Sequence, residues 1–218
     1  MIFKKSVRLF FLGCLLFSFG CIPLAKTALS PGSLEDLPGC LALFPAGPWE
    51  SVHRIEASFR GGISSTLLGV TRGEPATQRI QSLLLSPEGF TLFDGEFRAG
   101  EIIVHRAVPP FDSAAFAKGL MEDVTLIFLA PQSRPTNWGR ATDGSRVCRW
   151  EGPNGYRTEV WKSPDQGRRI IRWDDQGEVI REVSLKGPLV QGLAAEIELR
   201  VFKPISYKLK MTLLQSGS

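Results

Sequence analysis

From Trp49 to the C-terminus most of the chain is written in a period of two. Ile55, Ala57 and Phe59 alternate with Arg54, Glu56 and Ser58, as the two faces of a half-buried strand require. Apolar-rich blocks follow at 63–71, 79–86, 90–94 and 101–108, and again at 146–151, 156–162, 168–173, 178–185, 195–202 and 207–214. Between them stand Gly61-Gly62, Ser86-Pro87-Glu88-Gly89, Asn154-Gly155 and Asp174-Asp175-Gln176-Gly177, residues that tolerate a positive φ or hydrogen-bond their own backbone. The last two blocks alternate most cleanly. Ile197, Leu199 and Val201 oppose Glu196, Glu198 and Arg200, and Tyr207, Leu209, Met211 and Leu213 oppose Lys208, Lys210 and Thr212. No unit of repeat length recurs, which disfavours a propeller or solenoid.

Between the two sets of blocks the period changes. Pro109-Pro110-Phe111-Asp112 stops the strand, and Asp112 offers a capping side chain. Phe116, Leu120, Val124 and Ile127-Phe128 then recur at spacings of three and four, which predicts one amphipathic helix ending near Ala130-Pro131. Phe111 and Phe116 stand where a hydrophobic staple would clasp its first turn. About eleven antiparallel strands with a single inserted helix predict a mainly β (α+β) fold: an unclosed antiparallel β-barrel or strongly curved sheet, the helix serving as lid or plug.

A third pattern opens the chain. Lys4, Lys5 and Arg8 precede an apolar run over 9–19, too short to span a bilayer and shaped like a cleaved secretory signal. Gly20-Cys21 matches the end of the lipobox of bacterial lipoproteins, while Ser18 and Phe19 depart from it. The other reading is cleavage near Ala25 or Ala28, where Pro23 and Lys26 fit poorly. The expectation is therefore a signal peptide over 1–20 and lipid on Cys21. A Pro/Gly/Ser-rich tether follows to residue 48, and one folded domain fills 49–218. Ile22 after the cysteine, rather than Asp, resembles the sorting preference for the outer membrane, with the domain facing the periplasm.

Charge changes the picture once the signal is set aside. The formal net charge of +4 includes the three signal cations, and without them +1 remains. No basic run is interleaved with aromatics, so nucleic-acid binding is disfavoured. Cys14 leaves with the signal, and Cys40 and Cys148 remain. In an oxidising compartment they are either bridged or separately buried, and sequence alone does not supply the geometry. No cofactor or metal motif is present, and nothing selects a catalytic constellation. His53 and His105 sit within strand patterns. Asp174-Asp175 reads as a turn former, and Glu122-Asp123 as lying on the polar side of the helix.

What remains is apolar. Phe59, Phe90, Phe93, Phe97, Phe111, Phe116 and Phe128 enrich the first half of the domain, and each is most simply core. Together with a wide sheet and one helix they point to an apolar cavity. Alternation assigns Ile55, Phe59, Leu67, Leu85, Leu92, Val104, Phe116 and Leu120 to its wall.

The wording is most specific in Leu85-Ser86-Pro87-Glu88-Gly89-Phe90-Thr91-Leu92-Phe93, in Arg106-Ala107-Val108-Pro109-Pro110-Phe111-Asp112 and in Asp123-Val124-Thr125-Leu126-Ile127-Phe128. It resembles an uncharacterised proteobacterial lipoprotein family related to the LolA/LolB-like carriers of lipoproteins. The resemblance implies an unclosed barrel with a helical lid and a cavity that accepts acyl chains, without cofactor or covalent step. The expected function is non-enzymatic: an outer-membrane lipoprotein that binds a lipid, or the acyl chains of lipidated cargo, for transport, reception or localisation. The alternative is a structural or assembly lipoprotein of the envelope that acts through a protein partner.

Overall fold

A computed structural model describes residues 28–32, 38–152, 155–165 and 167–217. The expected signal peptide, Cys21 and part of the tether lie outside the described residues. Thirteen strands form one sheet: β1 (Ser30–Pro31), β2 (Trp49–Phe59), β3 (Ser64–Glu74), β4 (Arg79–Leu85), β5 (Thr91–Arg98), β6 (Glu101–Ala107), β7 (Asn137–Arg140), β8 (Arg146–Glu151), β9 (Arg157–Lys162), β10 (Arg168–Trp173), β11 (Val179–Val190), β12 (Leu193–Val201) and β13 (Tyr207–Gly217). The helices are α1 (Pro38–Leu41) and α2 (Ala114–Phe128). Every block of period two became a strand. The two further strands, β1 and β7, pair only with few residues, Ser30 with Arg140 and Pro31 with Gly139. Neither has an alternation long enough to read, and proline suits only a sheet edge.

Apart from β1, which pairs with β7, two antiparallel meanders make up the sheet, β2 to β6 before α2 and β7 to β13 after it. Their seam is the pairing of β13 with β2, from Tyr207 opposite Phe59 to Gly217 opposite Glu50. The order β1-β7-β8-β9-β10-β11-β12-β13-β2-β3-β4-β5-β6 leaves β1 and β6 as free edges, so the barrel is not closed. Laid flat, thirteen strands would span roughly 60 Å. Yet a single core cluster draws on Ile80 and Phe93 of the first meander and on Cys148, Ile170 and Leu199 of the second. The sheet must therefore curl, and register shifts at Leu84/Leu85, Asp94/Gly95, Arg172/Trp173 and Leu213/Gln215 mark bulges that bend it. Glycine makes room on the inner face. A Cβ at Gly73 would stand 2.4 Å from the Trp49 indole, and one at Gly95 2.6 Å from the Phe93 ring.

Helix α2 lies across the inner face against β4, β5 and β6. Its cap is Ser113, whose hydroxyl accepts from the Phe116 amide at 3.2 Å, so the helix starts one residue later than Asp112 implied. The staple pair still meets, with the Phe111 and Phe116 rings edge to face at 5.0 Å. Phe116 also stands edge-on to Phe93 at 6.2 Å, and at the other end Phe128 packs on Trp49 at 5.0 Å. Leu43 and Phe44, inside the stretch expected to be tether, are buried in the same core. A smaller cluster, Ala141, Val147, Trp161, Ile171 and Trp173, occupies the outer face of the second meander. Beside it Glu159 is buried between Arg149 at 2.8 Å and Arg157 at 3.2 Å.

Candidate functional site

Along α2 runs a cleft of about 880 Å³, bounded on its other side by the inner face of β8 to β11. That volume lies in the range of small-molecule sites. Its apolar surface comes from Phe44, Phe97, Leu126, Leu129, Trp150 and Ile180. Charge lines it too, in Lys118, Glu122, Arg172, Arg181, Asp174, Asp175 and Lys203. Turns 151–156, 174–178 and 202–206 all fall at one end of the antiparallel sheet and contribute Tyr156, Asp174 and Lys203 to the mouth. Ile63, Phe90 and Ile205, in hairpins at that same end, are 66%, 70% and 69% exposed.

The helix is held to the second meander by polar groups. Asp123, read from sequence as a surface residue, is 2% exposed. It accepts from the Arg181 Nε of β11 at 2.6 Å and from the Tyr207 hydroxyl of β13. Arg181 also reaches Glu122 at 3.0 Å. Burial pushes the Asp123 carboxyl above its ordinary range, against the pull of the Arg181 guanidinium and the Tyr207 hydroxyl. One turn further along, His53 lies fully buried on β2 against the Phe128 ring, 5.7 Å between centroids. Neither ring nitrogen has a protein partner, and burial lowers the imidazole pKa to about 4. His105 is exposed on β6, its Nε2 3.8 Å from Glu96. Asp174 behaves as a turn former, accepting from the Gln176 and Glu178 amides at 3.1 and 2.8 Å.

Of the eight side chains assigned to the cavity wall, Ile55 is core, and Leu67, Phe116 and Leu120 pack against it. The other four differ from expectation. Phe59 is 41% exposed and stacks on Tyr207 at 6.0 Å near the end of the sheet. Leu84 and Phe93 are buried where Leu85 and Leu92 are not: burial in β4 alternates over Ile80, Ser82 and Leu84, which puts Leu85 on the other face, and Leu92 is the extra residue of the bulge between Thr91 and Phe93. Val104 is 45% exposed on the edge strand β6, where the bulge at Asp94/Gly95 lies opposite. None of the eight borders the cleft along α2. The residues that do, Arg172 and Leu129 among them, carry no sequence motif.

Cys148 is buried on β8 and disulfide-bonded, and α1, which carries Cys40, packs beside β8. The Cys40 side chain is outside those described. Among the described residues no group of three His, Cys, Asp or Glu could hold a metal ion, and no helix is long and apolar enough to cross a membrane.

No protein-family model matches the chain, and no curated protein does. Solved structures do. A LolA superfamily protein from Nitrosomonas europaea aligns over 86% of this chain and 94% of its own, at 11% identity and a TM-score of 0.48. A DUF1329 family protein from Desulfovibrio piger aligns over 84% and 90%, at 11% identity and a TM-score of 0.52. The likeness is one of fold. It rests on the second structure.

Proposed function

We propose that this protein is a non-enzymatic binding protein of the cell envelope, tethered to the outer membrane through lipid on Cys21, that receives a lipid or the acyl chains of a lipoprotein in the cleft along α2. The observation that carries the reading is the cleft itself, about 880 Å³ of space between an amphipathic helix and an incompletely closed sheet. Affinity would come from area: each methylene removed from water contributes about 0.8 kcal/mol. The resemblance of residues 85–128 to carriers of lipoproteins supports the same reading. A second reading, an assembly protein that works through a protein partner, is favoured by the exposed Ile63, Phe90 and Ile205 at the hairpin tips.

Native mass spectrometry of the full chain, expressed in a Gram-negative host and purified without detergent, separates them. A discrete added mass that fragments to an acyl lipid is the expected result. A bare protein that also ignores an acyl-chain fluorophore sinks the carrier reading and leaves the assembly one.

A further inference from the structure

The cations of the cleft are unequal. Arg181 is held by Asp123 at 2.6 Å and Glu122 at 3.0 Å. Lys118 lies 3.9 Å from Glu122, and Lys203 pairs with Asp174 at 3.3 Å and with Glu178. Arg172, half-buried on the inner face of β10, has no carboxylate within ion-pairing distance among the described residues. Its recorded bond is weak, Nε to the Thr158 hydroxyl at 3.4 Å. Burial and the neighbouring Arg181 both draw its guanidinium below the ordinary value, while Glu122, Asp123 and Tyr156 act the other way. A guanidinium drawn partly out of water without a counter-charge is unfavourable, and it presents a planar fork of donors matched to a carboxylate or phosphate. Leu126, Leu129 and Ile180 line the same cleft, which therefore offers both an anion-pairing group and apolar wall.

We propose that Arg172 is the head-group anchor of the cleft, and that the ligand is an anionic amphiphile whose carboxylate or phosphate pairs with this guanidinium while its chain lies along α2. The assignment rests on the lipid-binding reading above and narrows it from any apolar chain to an acidic one. Thr158 meets the guanidinium only at Nε, which leaves the terminal nitrogens to the ligand. The two carboxylates nearest on α2 do not compete for this site because Arg181 engages both.

The test measures, on the full chain and below micelle concentrations, the affinity of three probes with the same sixteen-carbon chain: hexadecanoate, hexadecyl phosphate and hexadecanol. Wild type is expected to hold one or both anions ten- to a hundredfold more tightly than the alcohol, the range of a charge-assisted hydrogen bond. The stronger anion tells a fatty carboxylate from a phospholipid-type phosphate. In Arg172→Met the preference should vanish while hexadecanol binding stays, and Arg172→Lys should restore part of it. Thermal unfolding of both variants confirms that they fold. Equal affinity for all three probes in wild type, or a preference that survives in Arg172→Met, overturns the head-group assignment and leaves the cleft a site for acyl chains. Failure of every probe to bind overturns both.

Discussion

Both nitrogens of His53 are sealed beneath Phe128 with no protein partner, and that arrangement is tolerable only while the ring is neutral. Its pKa falls from 6.5 in the unfolded chain to about 4 in the folded one. Between those values the unfolded state binds the extra proton. Stability is therefore fully present above about pH 6.5 and is lost as pH falls toward 4, by roughly 3 kcal/mol at the lower end. Denaturant titrations across that window, compared with His53→Leu, should show a pH slope in wild type that is absent in the variant. Parallel slopes would mean that His53 is not the group responsible. Alternation along β2 puts this histidine on the face of Ile55 and Ala57. Its lack of partners could not be read there, since that depends on what α2 sets above it. Asp123 is the opposite case. It stands seven residues after Phe116 and four before Ile127, on the apolar stripe itself, and that spacing was a legible sign of a buried carboxylate.

At the scale of elements, α2 is gripped differently on its two sides. Phe116 and Phe128 bind it to the first meander through ring contacts, whereas Asp123 joins it to β11 and β13 through a buried ion pair and a hydroxyl. Removing one member of such a pair strands the other charge in the interior. Asp123→Asn is expected to lower stability by roughly 3 kcal/mol and to speed amide exchange within residues 114–128 ahead of the strands. Unchanged exchange in the helix would show that the aromatic side alone holds it. The helix was visible in the sequence because apolar residues repeat at helical spacing from Phe116 to Phe128, and the strands because they alternate. The cavity wall was not: consecutive leucines at 83–85 fit either face of β4, of which the fold buries Leu84, and the bulge at Leu92 leaves no pattern in the sequence.

For the whole molecule the decisive contact is the seam between β13 and β2, with Ile55 opposite Met211 and Ala57 opposite Leu209. A chain ending at Ser206 would keep β2 to β6 and β7 to β12 yet expose two long inner edges, one on β2 and one on β12. Such a truncation should give no cooperative thermal transition and should elute as aggregate in size-exclusion chromatography. A monomer with a sharp transition would show that one meander is a folding unit by itself. The architecture was legible as a mainly β, unclosed sheet with one helix, but its seam was not, because pairing between the two ends of a chain leaves no local pattern in either strand. The seam also sets a timetable. A chain made from its N-terminus releases β2 early, and that strand must wait for β13 before its free edge is covered. Until then it is an open invitation to any other strand. Topology alone therefore weighs against rapid folding, and the half-made chain carries an uncovered edge for as long as β13 is missing.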